Sequence, residues 1–213
     1  MQYLKYVIYL VVAFCFSAAN GQSYEAFFAA VNRGDGQSVA ALLARGFDPN
    51  ARGPQGQTAL HLALRDDSPK VVDALLAHPA LDANAQNDAG ESPLMMAALR
   101  GQLAMAEKLL ARGARVHQPG WSPIHYAATG PEPRLVALLL DRGAPLEAES
   151  PNRSTPLMMA AGYGPEASVD LLLARGADIR RRNDRGYDAA AFARERGREF
   201  LQKRLQPAAS APR

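Results

Sequence analysis

The chain has 213 residues, of which 48% are hydrophobic and 21% are charged, and its formal net charge at pH 7 is +3. These values are typical of a soluble globular protein with enough length for one domain, and the charge is too small to indicate a nucleic-acid partner by itself. Aromatic residues are few while Ala and Leu are abundant, which favours closely packed helices over a β-sandwich.

The first 21 residues have the pattern of a cleavable export signal. Lys5 is their only charged residue, and an apolar run covers Tyr6–Phe16 before a short stretch of small residues. A basic start, an apolar stretch and a small-residue cleavage site are the parts of a secretory signal peptide. The run is also shorter than the roughly 20 residues that span a bilayer. We predict that residues 1–21 are a signal peptide removed after Ala19 or Gly21; an uncleaved anchor and a buried helix are the alternatives.

The chain contains one cysteine, Cys15, which lies inside the predicted signal peptide. Removal of the signal therefore leaves a mature chain without any thiol. Disulfides, thiol nucleophiles, cysteine-type zinc sites and iron–sulfur clusters are excluded from such a chain. We expect the mature protein to be stabilised by packing alone.

One short pattern starts five times between residues 56 and 190, each time 30 to 34 positions after the last. Its copies are Thr58–Ala63, Ser92–Ala97, Ser122–Ala127, Thr155–Ala160 and a degenerate copy at Asp188–Ala190. A period of this length indicates one helix-turn-helix unit repeated into a stack. Function in such a stack resides in an extended surface made by several repeats.

A second pattern follows at a fixed distance. Its copies are Val39–Gly46, Ala106–Gly113, Val136–Gly143 and Val169–Gly176. Each has apolar residues at helical spacing, then arginine and glycine. The arginine complements the negative end of the helix dipole, and the glycine accepts positive φ. We predict a second helix in each unit that ends at this glycine.

Together the two patterns resemble ankyrin repeats, whose sequence runs Gly-x-Thr-Pro-Leu-His-x-Ala-Ala and later Leu-Leu-x-x-Gly-Ala-Asp. The resemblance covers residues 23–205. It implies an all-α fold, an ankyrin-repeat solenoid of stacked helix-turn-helix units with β-hairpin-like finger turns. It also implies a concave face, built from the fingers and the first helices, that binds other proteins.

The repeat boundaries follow from this resemblance. Within an ankyrin-repeat domain at 22–205, we predict an N-terminal cap at 23–55, repeats at 56–89, 90–119, 120–152 and 153–185, and a C-terminal cap at 186–205. Residues 206–213 are predicted to form a disordered tail, because they have nothing to bury. The stretch from Gly113 to Ser122 is shorter than its counterparts, so we expect a shortened finger there.

Candidate metal ligands have structural explanations. His61 and His125 occupy the histidine position of the family pattern, which implies a role in bridging backbone groups between repeats. The pairs Met95-Met96 and Met158-Met159 replace His-x in the same pattern, so we expect them to fill the core. A copper site is the alternative, because thioether sulfur suits Cu(I). No cofactor and no metal is predicted.

No catalytic motif of a serine hydrolase, zinc metalloprotease or nucleotide-binding protein is present in the sequence, so no catalytic residue is assigned and the chain is predicted not to be an enzyme. Asp66-Asp67 is the only adjacent acidic pair in the sequence, and we interpret it as a solvated turn at the end of a first helix; glycosidase-like chemistry, which needs two opposed carboxylates, is the alternative.

The resemblance implies partner contacts beside the finger-turn glycines and at the ends of the first helices. The positions predicted to bind a partner are Gln55, Gln57, Arg65, Asp88, Glu91, Arg100, Trp121, Tyr163, Arg185 and Tyr187; Asp66, Asn152 and Ser154 match the same positions. Trp121 is the only tryptophan and is either an exposed anchor or a plug for the shortened finger. For any single polar member, an ordinary solvated surface is the alternative.

Charge is unevenly distributed, with a net −4 over residues 22–174 and +6 over residues 175–213. The basic end is suited to steering an acidic protein or a membrane surface toward the chain; solubilising charge on a terminal cap is the alternative.

We therefore predict a periplasmic or secreted, non-enzymatic protein that binds another protein through its concave face, as a scaffold or accessory factor of an envelope enzyme. The Ala- and Arg-rich composition is similar to that of bacterial chains. A secreted effector acting on host proteins is the alternative, followed by a metal- or small-molecule-binding module. We expect a monomer with no nucleic-acid partner and no integral membrane segment in the mature chain.

Overall fold

A computed structural model describes residues 23–206 of the protein. The predicted signal peptide, and the predicted tail beyond residue 206, lie outside the described residues. Over the described range the chain forms twelve α-helices and no β-strand, apart from one isolated bridge between Arg52 and Thr58. Each helix between residues 23 and 206 is too short or too polar to cross a bilayer.

The described residues form two compact units that divide between Asp82 and Ala83. In unit 1 the helices are α1 (23–32), α2 (Gly36–Ala44), α3 (Ala59–Arg65) and α4 (Pro69–Leu76), with a single 3₁₀ turn at Pro54–Gly56. In unit 2 they are α5 (Pro93–Leu99), α6 (Leu103–Ala111), α7 (Pro123–Thr129), α8 (Pro133–Asp141), α9 (Pro156–Tyr163), α10 (Glu166–Ala174), α11 (Ala189–Glu195) and α12 (Glu199–Leu205). The domain and repeat boundaries drawn from the sequence stay predictions.

The first helix of each pair begins at a polar cap. The Oγ of Ser92 and the Oγ1 of Thr155 each accept a hydrogen bond, 3.4 Å long, from the backbone N–H three residues later. Asp188 does the same for Ala191 at 2.9 Å. Proline holds the first helical position after Ser92, Ser122 and Thr155, where its missing N–H costs nothing. Such a cap contributes about 1 kcal/mol to helix stability.

Methionine and histidine make the same local contact in different repeats. The N–H of Ser92 reaches the Sδ of Met95 at 3.3 Å, and the N–H of Thr155 reaches the Sδ of Met158 at 3.4 Å. In α7 the corresponding group is the Nδ1 of His125. Met95 and Met158 are both buried, so the prediction of core filling is confirmed for the first member of each pair. It is wrong for Met96 and Met159, which are only half-buried because they lie at the next position of the helix.

First helices of unit 2 pack against one another in the order α5, α7, α9, α11. Their contact surface consists of small side chains that are fully buried: Ala97, Ala98, Ala127, Ala128, Ala160 and Ala161. The turns after α7 and α9 approach the preceding first helix even more closely. A Cβ atom on Gly164 would lie 2.0 Å from the carbonyl oxygen of Ala128. This spacing requires glycine.

The second helices end as predicted. Gly143, directly after the C-cap residue of α8, has φ of +92°, and the space around its missing Cβ is open. Glycine is therefore required there by the backbone conformation and not by crowding. The predicted stop at this glycine is confirmed.

Connections between pairs form the fingers of unit 2. Asparagine side chains link consecutive fingers: Asn84 donates to the carbonyl of Gly113 at 3.0 Å and accepts from the N–H of Arg115 at 2.7 Å. The connection between α6 and α7 covers 112–122, whereas the connection between α8 and α9 covers 142–155. The shortened finger is thus present where the sequence predicts it, and Trp121 lies one residue before its end.

Candidate partner-binding site

Two cavities are lined by first helices of unit 2 and by the fingers that precede these helices. One, of about 200 Å³, is here called the apolar cleft and is lined by Leu99, Trp121, His125, Tyr126, Thr129 and Met159. The other, of about 340 Å³, is here called the arginine pocket and is lined by Asn152, Tyr163, Asn183, Arg185, Tyr187, Phe192, Glu195 and Arg196. The lining of the apolar cleft is mostly hydrocarbon, whereas the lining of the arginine pocket is mostly polar.

Trp121 forms one wall of the apolar cleft. Its ring lies edge-on to the rings of His125 and Tyr126, at centroid distances of 5.5 and 6.4 Å. The side chain nevertheless keeps 37% of its surface exposed. Trp121 therefore packs on one side and offers the other side to the cleft, so it combines features of both roles considered for it.

Tyr126 is held in place by a hydrogen bond. Its hydroxyl donates to the Oε1 of Glu91 at 2.9 Å, and the Oε2 of Glu91 accepts from the Nδ2 of Asn87. Burial, and then the adjacent Glu91 carboxylate, raise the pKa of Tyr126, so the phenol stays protonated. Glu91 is thus engaged in fixing the cleft wall and is only partly exposed.

His125 forms the floor of the cleft and is 1% exposed. Its Nδ1 accepts from the N–H of Ser122 at 3.2 Å, and its Nε2 donates to the carbonyls of Ala148 and Ser154 at 3.0 and 3.2 Å. Desolvation lowers the pKa of His125, so the ring is neutral. The prediction that this histidine bridges backbone groups is confirmed. Over residues 23–206, no cluster of three His, Cys, Asp or Glu side chains is arranged to hold a metal ion.

The arginine pocket is organised around Tyr163 and Arg196. The guanidinium carbon of Arg196 lies 4.2 Å from the ring centre of Tyr163, and one guanidinium nitrogen donates to the tyrosine hydroxyl at 2.6 Å. Tyr163 itself is 47% exposed. Stacking of this kind fixes the orientation of the guanidinium without neutralising it.

Arg185 faces the same pocket from the finger before α11. Its backbone N–H donates to the Oδ1 of Asn183 at 3.0 Å, which holds the turn. The carboxylate of Glu195, also in the pocket, pairs with Arg194 at 3.4 Å. In the part of the chain that the structure describes, no carboxylate pairs with Arg185 or Arg196. Two exposed positive charges therefore face one cavity.

Arg198 binds the end of α9, the helix that carries Tyr163 into the pocket. Its NH1 donates to the carbonyls of Ala160, Ala161 and Gly164 at 3.1, 2.9 and 2.8 Å. These carbonyls belong to the end of α9, where a helix leaves backbone acceptors without intrahelical partners. Arg198 therefore fixes the position of Tyr163.

Four of the residues predicted to bind a partner line these cavities: Trp121 the apolar cleft, and Tyr163, Arg185 and Tyr187 the arginine pocket. Asn152 also lines the pocket. The remaining predicted residues of unit 2, Asp88, Glu91 and Arg100, lie outside both.

In unit 1, Gln55 lies at a finger tip with φ of +63° and accepts a hydrogen bond from the Nε2 of Gln57 at 3.1 Å. Arg65 pairs with Asp66 at 2.7 Å. All of these side chains are at least partly exposed, so they are accessible.

The inclusion of Ser154 as a surface contact is wrong. Its side chain is 1% exposed, and its Oγ accepts from the Nδ2 of Asn183 in the next finger at 3.2 Å. Stacking of one finger on the next buries this position.

Several lining residues were not predicted: Leu99, Tyr126, Met159, Phe192, Glu195 and Arg196. Tyr126 and Met159 occupy the x of the Pro-Leu-His-x-Ala-Ala pattern, directly after the buried histidine or methionine. Both are half-buried. A large residue at this variable position is a signal that would have identified the cleft.

Comparison with known proteins places the chain among repeat proteins. The family model described as "Ankyrin repeats (3 copies)" matches residues 27–119 and 115–183. The B-cell lymphoma 3 protein homolog of Mus musculus is 32% identical over 165 residues, which is 74% of this chain and 37% of that protein. The human transient receptor potential cation channel subfamily A member 1 is 27% identical over 161 residues, 70% of this chain and 14% of the channel. The chain thus spans well under half the length of these relatives.

Solved structures give the same assignment. A chain in the structure of the Bd0816 predatory endopeptidase from Bdellovibrio bacteriovorus in complex with immunity protein Bd3460 superimposes with a TM-score of 0.72 at 27% identity, covering 84% of this chain and 96% of that chain. The ankyrin repeat domain of Bcl-3 superimposes with a TM-score of 0.64 at 31% identity, covering 79% and 77%. The predicted all-α ankyrin-repeat fold is confirmed.

Proposed function

The chain belongs to the ankyrin-repeat family, a family of protein-interaction modules, and from that premise we propose that it binds a partner protein at the face formed by the apolar cleft and the arginine pocket. The observation that carries the proposal is the exposure of Trp121 and Tyr163 beside these two cavities. Exposed aromatic and arginine side chains that line concave sites are the residues that dominate binding energy in protein interfaces.

We place this interaction in the bacterial envelope or outside the cell. The support is the signal-like segment at residues 1–21 and the lack of cysteine in the rest of the chain. On this proposal the protein is a scaffold or an accessory factor of an exported enzyme and has no catalytic activity of its own. Delivery to host cells as an effector is the competing location.

A second, sharper candidate follows from the likeness to a chain of an endopeptidase–immunity protein complex, which covers most of both chains. On this candidate the protein binds an exported hydrolase and holds it inactive. The identity of the partner separates this candidate from the scaffold.

The test is capture of the partner from envelope extract by crosslinking, with the wild-type protein and the Trp121→Ala variant side by side. We expect the wild type to enrich a specific protein and the variant to lose at least about tenfold in affinity, because removal of an aromatic anchor costs about 2 kcal/mol or more. The melting temperature of the variant should stay near that of the wild type, because the ring is partly exposed.

Two outcomes would contradict the proposal. If the variant melts at a much lower temperature yet captures the partner equally well, Trp121 is a plug and the binding face lies elsewhere. If no protein is enriched from any cell fraction, the interaction role itself is lost. When the captured partner is a hydrolase, its activity with and without the wild-type protein decides between inhibitor and scaffold.

A further inference from the structure

We infer that the face of unit 2 recognises an extended segment of the partner that carries a large apolar side chain and, two to four residues away, a carboxylate. This inference rests on the proposed function and specifies the chemistry of the partner. It is carried by three features of the face: the apolar cleft, the two arginines of the arginine pocket and the contribution of α9 to both cavities.

The apolar cleft fits one large hydrocarbon side chain. Its volume of about 200 Å³ is below the roughly 300 Å³ at which small-molecule pockets begin, so one side chain is a better match than a whole ligand. Leu99 and Trp121 on its rim are each 37% exposed, and Met159 contributes an adaptable thioether. A charged group placed among these side chains would lose its hydration without a partner.

The arginine pocket is suited to an anion. Arg185 and Arg196 face the cavity and pair with no carboxylate of the described residues, and Glu195, which also lines the cavity, is paired with Arg194. Tyr163 holds the guanidinium of Arg196 in a fixed plane, which reduces the entropy lost when a ligand binds. A guanidinium donates two parallel hydrogen bonds to a carboxylate. The complementary group is therefore an Asp or Glu side chain.

The spacing follows from α9, which contributes to both cavities. Met159 lines the cleft and Tyr163 lines the pocket, and these residues lie one helical turn apart, about 6 Å along the axis. The cleft extends toward α7 and the pocket toward α11, and packed helices lie about 8–10 Å apart. Because an extended chain advances about 3.3 Å per residue, two to four residues connect the two sites.

The test is selection of random peptides displayed on phage against the purified full-length protein. We expect enriched peptides to share an aromatic or large aliphatic residue with Asp or Glu two to four positions away. Synthetic versions of these peptides should bind the wild type, and replacing either the apolar or the acidic residue by Ala should weaken binding by at least about tenfold.

Variants assign each half of the motif to its cavity. Leu99→Ser and Trp121→Ala should abolish the apolar preference, and Arg196→Gln should abolish the acidic preference. Arg142→Gln is the matched control, because Arg142 is also an exposed arginine at a helix end but lines neither cavity. If one of the two cleft variants fails to fold, the other still tests the apolar preference.

Salt provides an independent measure of the acidic contact. Raising ionic strength from about 0.1 M to about 1 M shortens the Debye length from about 10 Å to about 3 Å. Affinity for the acidic peptide should fall over this range, while affinity for its Ala-substituted version should change little.

Enrichment of basic or purely apolar peptides, or binding that is unaffected by Arg196→Gln, would overturn the inference. If the native partner is still captured in that case, the proposed function survives and only its chemistry is wrong. If neither peptide nor partner is captured, both fail. Selective binding of phosphorylated peptides over carboxylate peptides would also overturn it, because the pocket would then recognise phosphate.

Discussion

Both ring nitrogens of His125 are committed to backbone groups, and this leaves no room for a second ring proton. The Nδ1 accepts a hydrogen bond from the N–H of Ser122, and the Nε2 donates to the carbonyls of Ala148 and Ser154. Protonation would direct two N–H groups at each other in a buried site. Burial also lowers the pKa of His125 below its ordinary value of 6.5, because a charged ring would lose its hydration there.

This arrangement makes stability depend on pH. As pH falls below about 6.5, the histidine of the unfolded chain takes up a proton while that of the folded chain resists. The contribution of His125 to stability is therefore fully present above about pH 6.5. It is lost as pH falls from there toward the lowered pKa of His125 in the folded state. We expect the urea midpoint to be lower near pH 5 than near pH 7.5.

The His125→Met variant supplies the control, because Met95 and Met158 occupy the same position in neighbouring repeats. We expect it to be less stable than the wild type at neutral pH, by about 1–3 kcal/mol, because the carbonyls of Ala148 and Ser154 lose their donor. Its loss of stability between neutral and acidic pH should be smaller than that of the wild type. An unchanged loss would assign the acid sensitivity to other groups.

At the scale of elements, glycine serves two different purposes in the connections of unit 2. Gly164 has an ordinary negative φ but lies against the carbonyl of Ala128, whereas Gly143 has φ of +92° in open space. We expect Gly164→Ala and Gly164→Asn both to destabilise by about 1–3 kcal/mol, because any Cβ forces the helices apart.

At Gly143 we expect Ala and Asn to differ in their effect on stability. Gly143→Ala should cost about 1–2 kcal/mol through its backbone conformation, while Gly143→Asn should cost less, since asparagine tolerates positive φ. Urea denaturation of the four variants measures these differences. Equal effects of Asn at the two positions would mean that crowding does not decide at Gly164.

The helical elements were predictable because their signals are local. The caps Ser92 and Thr155, the stop at Gly143 and the apolar spacing of each second helix all lie within one repeat. The site was only partly predictable because its key contacts join residues about one repeat apart. The stacking of Arg196 on Tyr163 and the burial of Ser154 by Asn183 depend on how consecutive repeats lie against each other, and no local pattern contains that information.

At the scale of the whole molecule, the proposed export would decide which partners the protein can meet. We expect the mature protein recovered from the producing bacterium to begin after Ala19 or Gly21, because small residues precede the cleavage site of a signal peptide. Mass spectrometry of the amino terminus, combined with cell fractionation, checks this. Full-length protein confined to the cytoplasm would remove the proposed envelope role, and mature protein found inside host cells would favour an effector.

The three hydrogen bonds that Arg198 donates to the end of α9 also limit how such a chain can be shortened during evolution. Deleting α11 and α12 would remove the donor that these carbonyls of α9 use, and the carboxyl end of a helix has no free N–H of its own to replace it. A truncated descendant would have to leave these carbonyls to water or acquire a new donor for them. Repeat number here is therefore harder to change at the carboxyl terminus than the modular pattern of the sequence suggests.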